Sequence, residues 1–437
     1  MRPVLSNFQR FARAEYFSGI LLLIATVVAM IWANSPWRDL YDSIWATKIT
    51  VGIGDFSISK SFFLWINDGL MAIFFFVVGL EIKREILVGE LSSPRQAIFP
   101  IAAALGGMVV TALFYLLVNA GGPGQDGWGV PMATDIAFAL GILSLLGRRA
   151  PLSLKVFLAA VAIVDDIGAV LVIAIFYSDS IAVVNLIAAA VVMLALFGLN
   201  RAHVRTPLPY AILGIFLWVA LLQSGVHATI AGVLLAITIP ASQKIDSEYF
   251  VRRSRSLLDG FEQAGQSGKS TLTNKDQKGY LTSLERGVEQ VRSPLLRLEH
   301  LLHPYVSYGI MPLFALANAG VALGSSFSAA LTDRISIGII LGLVLGKQIG
   351  ITGFGWLATR LGWAERPEGI SWRQIYGVGW LAGIGFTMAL FISDLAFPVE
   401  MLDTAKVGVL TASLICALVG SAILSGVRLN GRKRAEA

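Results

Sequence analysis

Cysteine is almost missing from this chain of 437 residues, which has one, Cys416. One cysteine forms no disulfide within the chain, which excludes a disulfide-stabilised secreted scaffold. Charged residues are also scarce, at 14%, whereas soluble globular proteins carry about 25%. The 56% of hydrophobic residues excludes a disordered or collagen-like chain.

Long apolar runs fill most of the sequence, and the mean hydropathy is +0.72. A spanning helix takes about 20 apolar residues, and a single core cannot hide this apolar excess. The first run is longer than the core of a signal peptide, about 7–15 residues. We therefore predict an all-α polytopic membrane protein with twelve transmembrane helices, near 16–34, 62–82, 97–120, 128–147, 153–177, 181–200, 208–223, 225–241, 302–323, 335–359, 372–393 and 404–427.

The basic residues predict the orientation of these spans. With both termini cytoplasmic, the inner segments hold all but six of the 34 lysines and arginines, as the positive-inside rule expects. The net charge of +6 then needs no nucleic-acid partner. The predicted organisation is helices 1–8 in 1–242, a polar cytoplasmic insert or linker in 243–299 with a helical exit at 281–297, helices 9–12 in 300–427, and a basic tail in 428–437.

Two adjacent acids, Asp165 and Asp166, interrupt the fifth apolar run. An ionisable group at mid-membrane costs at least about 2.5–3.5 kcal/mol, so it indicates a functional site. Adjacent helical positions differ by about 100° in direction, so one carboxylate can face a cavity while the other meets a neighbouring helix. Hard cations such as Na⁺ favour oxygen ligands, so Na⁺ and protons would compete here. An acid pair that serves helix packing is the alternative.

Lys347 is the basic residue that lies deep within a predicted span, the tenth. A buried ammonium needs a counter-ion, and Asp165 or Asp166 is the natural partner; a purely structural lysine is the alternative. Glycines at 342, 346 and 350 recur every four residues around it. This spacing predicts a smooth helix face that closely approaches another backbone.

Two spans carry signs of a break within the membrane. The fourth contains Pro131, Thr134 and Asp135, and the eleventh contains Gly383, Gly385 and Thr387. Broken spans at corresponding positions of two halves indicate the central site of a transporter. Asp135 would compensate the partial charges of helix ends, with direct ion binding as the lesser alternative.

Other titratable residues are candidates for a pH response. Glu81 lies near the cytoplasmic edge of the second span, His227 lies near the start of the eighth, and His300 and His303 lie where the chain enters the ninth. Histidine titrates near neutral pH, while an exposed ion-pair cluster is the alternative at Glu81. We expect no cofactor, because the segment 265–271 resembles a phosphate-binding loop but lacks its first glycine and a preceding strand.

Several segments together resemble the bacterial NhaA-type sodium/proton antiporters. They are Trp65-Ile66-Asn67-Asp68-Gly69, Val78 to Glu85, Ala133-Thr134-Asp135-Ile136-Ala137-Phe138, Val164-Asp165-Asp166-Ile167-Gly168, Ser224 to Thr229, Leu316 to Val321 and Gly383-Ile384-Gly385-Phe386-Thr387. The resemblance covers nearly the whole chain except the insert at 243–290.

The resemblance implies inverted repeats of spans 3–5 and 10–12, with broken spans 4 and 11 crossing at mid-membrane. It places Asp165 and Asp166 at the cation and proton positions, with Thr134 nearby and Lys347 paired to the first aspartate. It assigns to Asp135 the role of compensating the partial charges at the helix ends. Glu81, His300 and His303 fall at a cytoplasmic pH-sensing cluster, and His227 tunes the pH response. A hairpin at 48–60 would serve dimer contact.

The sequence thus predicts a bacterial inner-membrane antiporter, not an enzyme, that exchanges cytoplasmic Na⁺ or Li⁺ for external protons. A proton-coupled carrier of another small solute is the main alternative. A channel is a further alternative. It is distinguished by experiment, because a sodium gradient cannot drive protons against their own gradient through a channel. An intramembrane aspartyl protease would place its acids on separate helices with a Gly-x-Gly-Asp element, whereas Asp165 and Asp166 are adjacent and neither belongs to such an element.

Overall fold

The computed structural model describes residues 2–53, 56–178, 181–243, 246–265, 274–322 and 327–426. The predicted tail at 428–437 and most of the phosphate-loop-like segment lie outside them. The elements are α1 (Arg2–Ala33), α2 (Arg38–Ala46), β1 (Lys48–Ile53), β2 (Phe56–Ser61), α3 (Phe62–Val88), α4 (Pro94–Asn119), α5 (Ile136–Leu145), α6 (Leu152–Phe176), α7 (Val183–Arg201), α8 (Pro207–Leu222), α9 (Ile230–Thr238), α10 (Ser247–Gly265), α11 (Lys275–Val291), α12 (Pro294–Tyr305), α13 (Met311–Asn318), α14 (Phe327–Thr332), α15 (Arg334–Arg360), α16 (Trp372–Ala382), α17 (Phe386–Ala396) and α18 (Val399–Ser425).

Membrane-spanning character is confirmed along the chain. Within the described ranges, seven helical segments are long and apolar enough to cross a bilayer, or up to nine if each bent helix pair forms one span. The bent pairs are α1 with α2, at 114°, and α16 with α17, at 46°. The segments predicted as spans seven to nine fold into shorter helices, so the total of twelve stays a prediction.

The chain interrupts its helices where proline and glycine predict it. A 3₁₀ stretch, Gln125–Met132, contains Pro131 and leads through extended backbone into α5. Proline lacks the N–H that a continuous helix needs. Gly383, Ile384 and Gly385 separate α16 from α17 in the same way.

Two hydrophobic cores hold the helices together. The larger includes buried residues of α4, α6, α15, α16, α17 and α18 and surrounds both breaks. The smaller joins α7, α8 and α9 to α3 and α12. The helix breaks therefore lie inside protein, where interrupted backbone is tolerated in a membrane.

The glycine face predicted on α15 is confirmed. A Cβ on Gly346 would lie 2.8 Å from Thr111 Cα, and one on Gly350 would clash with the Gly106 carbonyl of α4. A π-helical turn at Gly342–Gly346 precedes Lys347. This contact fixes Lys347 against the larger core.

The polar insert contains two helices, α10 and α11, although the sequence predicts a helix only towards its end. Both are strongly amphipathic, which lets them pack on each other despite their many charges. Asn274 caps α11 and donates to the Ala264 carbonyl at 2.8 Å. Outside the insert, β1 and β2 pair antiparallel from Lys48↔Ser61 to Ile53↔Phe56, which confirms the hairpin.

Candidate functional site

The two interrupted segments lie directly against each other. The Asp135 amide donates to the Ile384 carbonyl at 2.7 Å, and Thr134 Oγ1 lies 2.7 Å from the Ala382 carbonyl. A Cβ on Gly385 would lie 3.4 Å from the Ala133 carbonyl, an ordinary van der Waals distance, so the two segments are in contact here as well. A polar site therefore forms in the middle of an apolar core.

Asp135 binds the N-terminal ends of two helices. Its Oδ1 accepts from the Phe138 amide of α5 at 3.0 Å. Its Oδ2 accepts from the Thr387 amide of α17 at 3.2 Å and from the Thr387 hydroxyl. Helix N-termini carry positive partial charge and unsatisfied N–H groups, which a carboxylate stabilises. This geometry suits the predicted charge compensation.

Asp165 is buried and paired. Its Oδ2 lies 2.8 Å from Lys347 Nζ and 2.7 Å from Thr134 Oγ1. Lys347 also donates to the Met132 carbonyl within the interrupted fourth segment. The hydroxyl of Thr134 has one proton, which it can donate either to Asp165 or to the Ala382 carbonyl. When it donates to Ala382, its oxygen can accept a hydrogen bond from a protonated Asp165.

Asp166 faces a cavity instead of a lysine. The cavity has a volume of about 660 Å³, and Thr134, Asp135, Asp166 and Met388 line its buried end. Asp166 Oδ1 has no hydrogen-bond partner in the described part of the chain. The two neighbouring acids thus have different surroundings, as their helical directions predict.

The same cavity reaches a second group of charges near the end of α3. Glu81, Arg84, Glu85 and His303 line it there. Arg84 pairs with Glu85 at 2.9 Å and with Glu299. Burial raises the pKa of the Glu299 carboxyl, and the attraction of Arg84 opposes the increase. Glu81 and His303 therefore share one water-accessible space with Asp166.

His300 and His227 lie apart from this cavity. His300 is exposed, and its Nδ1 lies 3.0 Å from the Leu296 carbonyl of its own helix. His227 contacts the Tyr177 carbonyl at the end of α6. The structure thus brings together Glu81 and His303 of the four predicted pH-response residues.

The sequence interpretation missed Arg84 and Glu299 as members of the site. Their signal was present, because Arg84 follows Glu81 by one helical turn and Glu299 precedes His300. Charged residues at a membrane edge are commonly exposed to solvent, so their presence in the sequence does not by itself indicate a functional site. Only the fold shows that Glu299 is 5% exposed and paired across elements.

Known proteins match this chain over nearly its whole length. A family model described as Na+/H+ antiporter 1 matches residues 9–424. The Na(+)/H(+) antiporter NhaA of Koribacter versatilis is 52% identical over 96% of this chain and 91% of its own. That of Oleidesulfovibrio alaskensis is 52% identical over 99% and 96%. The sodium proton antiporter MjNhaP1 of Methanocaldococcus jannaschii aligns over 93% and 91%, with 14% identity and a TM-score of 0.44.

Proposed function

Because the chain belongs to the Na+/H+ antiporter 1 family, we propose that Asp165 and Asp166 form the site at which Na⁺ and protons compete. The protein is a multi-pass membrane transporter, not an enzyme, and its substrates are Na⁺ and H⁺. A bilayer surrounds its apolar spans.

The observation that carries this proposal is the placement of Asp166 at the end of the cavity. Asp166 is 2% exposed, and its Oδ1 lacks a hydrogen-bond partner among the described residues. A buried anion without a counter-charge is costly. Binding of either a proton or a cation removes that cost. Because both bind the same carboxylate oxygens, binding of one weakens binding of the other.

Asp165 and Lys347 supply the coupling in this mechanism. While Lys347 is charged, it satisfies Asp165. A cation bound between the two carboxylates competes with the ammonium for Asp165 and weakens that pair. Protons that leave the carboxylates then exit through the cavity, and Na⁺ takes their place.

Alternating access then moves the loaded site to the other face. In the described state the cavity connects the site to the α3–α4 loop, which we assign to the cytoplasm from the distribution of basic residues. Asp135 and Thr387 keep the two helix N-termini satisfied during this movement. The transporter crosses with a cation or with protons, never with both.

The pH response belongs to the charges at the cavity mouth in this proposal. Glu81 and His303 share the cavity with Asp166, so their protonation changes the potential along the cation path. His300 and His227 act from outside the cavity, through the helices that carry them.

Four further assignments are part of the proposal. The chain resides in the bacterial inner membrane with both termini cytoplasmic, and it has twelve spans with inverted repeats. It accepts Li⁺ as well as Na⁺. Two copies form a dimer through the β1–β2 hairpin, whose strands project exposed side chains such as Val51.

The test uses inverted membrane vesicles, in which the cytoplasmic face is outside. We expect Asp165→Asn and Asp166→Asn each to abolish the proton release that added Na⁺ drives in the wild type. Asp126→Asn, at an exposed acid outside the cavity, serves as the matched control and should leave the exchange unchanged. Full Na⁺-driven proton release in both site variants would contradict the assignment of Asp165 and Asp166 to the ion-binding site.

A further inference from the structure

A fourth aspartate, Asp394, lies within the bent helix pair α16–α17 and away from the site described above. It lies on α17, seven residues beyond Thr387, which is about 10 Å along a helix. Its Oδ2 accepts from Asn67 Nδ2 at 3.0 Å. Its Oδ1 is buried and has no hydrogen-bond partner in the part of the chain that the structure describes.

Two asparagines from other helices complete a cluster with Asp394. Asn318 Nδ2 donates to Asn67 Oδ1 at 3.0 Å, and Asn67 Nδ2 lies 3.4 Å from Asn318 Oδ1. Both are buried, at 6% and 0% exposure. Asn67 lies in a π-helical turn, Trp65–Leu70, an irregularity that is frequent at functional sites. Asn67 presents its amide nitrogen to Asp394, and the two asparagines satisfy each other's oxygens. If both amides rotate out of this pairing, their oxygens join the carboxylate as the ligands that hard cations prefer.

The cluster lies on the opposite side of the site from the cavity. The cavity mouth is at the Val88 end of α3, whereas Asn67 is near its other end, about 30 Å away along the helix. None of the three cluster residues lines the cavity.

An aromatic layer closes the path between the cluster and the aspartate pair. Phe391 lies one turn before Asp394 on α17, and its ring centroid is 5.4 Å from that of Phe75 and 6.2 Å from that of Phe314. These rings come from α17, α3 and α13, the helices that carry the three cluster residues. Separation of the rings would therefore join the cluster to the central site.

Lys406 on α18 balances the charge of the cluster. It is 7% exposed and interacts electrostatically with Asp394. Asp394 and Lys406 form no direct ion pair of the kind that joins Asp165 to Lys347, so the lysine offsets the charge of the carboxylate only in part. The carboxylate is thus tolerated when no cation is bound.

We propose that Asp394, with the side-chain oxygens of Asn67 and Asn318, forms a second cation site on the outer path. It receives Na⁺ as the ion leaves Asp166 and before it reaches the external solution. The inference rests on the proposed function. The chemical class of its ligand is a dehydrated alkali cation bound by oxygen.

The experiment measures Na⁺-dependent exchange of Asp394→Asn separately on the two faces, in inverted and right-side-out vesicles. We expect the Na⁺ concentration for half-maximal exchange to rise at least about fivefold on the outer face and to stay within about twofold on the cytoplasmic face. Asp403→Asn, at an exposed acid on α18, is the matched control and should change neither.

A merely structural contact gives a different pattern. If Asp394 only holds the outer path closed, its loss shifts the balance between inward-open and outward-open states and changes both faces in opposite directions. The proposal is overturned by that result. It is also overturned if the Na⁺ concentration for half-maximal exchange changes equally on both faces, or does not change on either. Asn318→Ala removes one ligand oxygen and decides the question if Asp394→Asn does not fold: we expect a smaller increase, again on the outer face. Failure of the function itself is distinguishable, because the wild type would then show no exchange.

Discussion

Neighbouring residues in this chain have unlike roles because a helix turns about 100° between them. Asp165 meets Lys347 and Thr134, while Asp166 meets the cavity. The sequence predicts the importance of both, since charge is expensive in an apolar span. Which aspartate binds the lysine depends on how α6 and α15 pack, and no local pattern contains that information.

The ion pair makes a prediction about stability. Lys347→Met leaves Asp165 buried without its counter-charge, which we expect to lower the free energy of unfolding by about 3–5 kcal/mol. The double variant Lys347→Met/Asp165→Asn removes both charges and should recover most of that loss. Denaturant unfolding in detergent measures the free energy of unfolding of the wild type and of both variants. Equal losses in the single and double variants would contradict a coupled pair.

At the scale of elements, the breaks in the segments predicted as the fourth and eleventh spans follow from Pro131, Gly383 and Gly385. Their direct contact, through Asp135 and Ile384, could not be predicted from residue patterns, because it depends on pairing between distant segments. Only the last part of the insert was predicted as helix, because its many charged and polar residues are equally typical of a solvated linker. The π-helical turns at Asn67 and before Lys347 could not be predicted, because their residues are also compatible with an ordinary α-helix.

The glycine contact between α4 and α15 makes a prediction with an internal control. Gly350→Ala places a methyl group against the Gly106 carbonyl, and backbone cannot move away cheaply, so we expect a loss of about 1–3 kcal/mol in unfolding free energy. Gly353→Ala, on the same helix with nothing within 4 Å, should be neutral or gain up to about 1 kcal/mol. Thermal unfolding of the two variants separates them, and similar midpoints would contradict close packing here.

At the scale of the whole molecule, the described residues line a cavity that runs from Asp166 to the α3–α4 loop. Asp166 is reached from the α3–α4 loop, and the aromatic layer with Phe391 closes the other direction. Mean hydropathy could predict a polytopic membrane protein, while the orientation that the basic residues indicate stays a prediction. The cavity could not be predicted, because its lining comes from helices far apart in the chain.

The orientation is tested with introduced cysteines, because the native Cys416 is buried. Ser92, at the cavity mouth, and Asp403, on α18, are both exposed. We expect a membrane-impermeant maleimide to label Asp403→Cys in right-side-out vesicles and Ser92→Cys in inverted vesicles. The reverse labelling pattern would refute the assigned topology.

The most direct test of the central claim is to count protons released when Na⁺ binds to purified protein in weakly buffered detergent solution. Competition predicts proton release on Na⁺ addition, and a Na⁺ affinity that falls up to tenfold for each proton displaced and each pH unit of acidification in the range where the site is protonated. Asp166→Asn should abolish the release. Sodium binding without released protons, at an affinity that does not change with pH, would contradict the account.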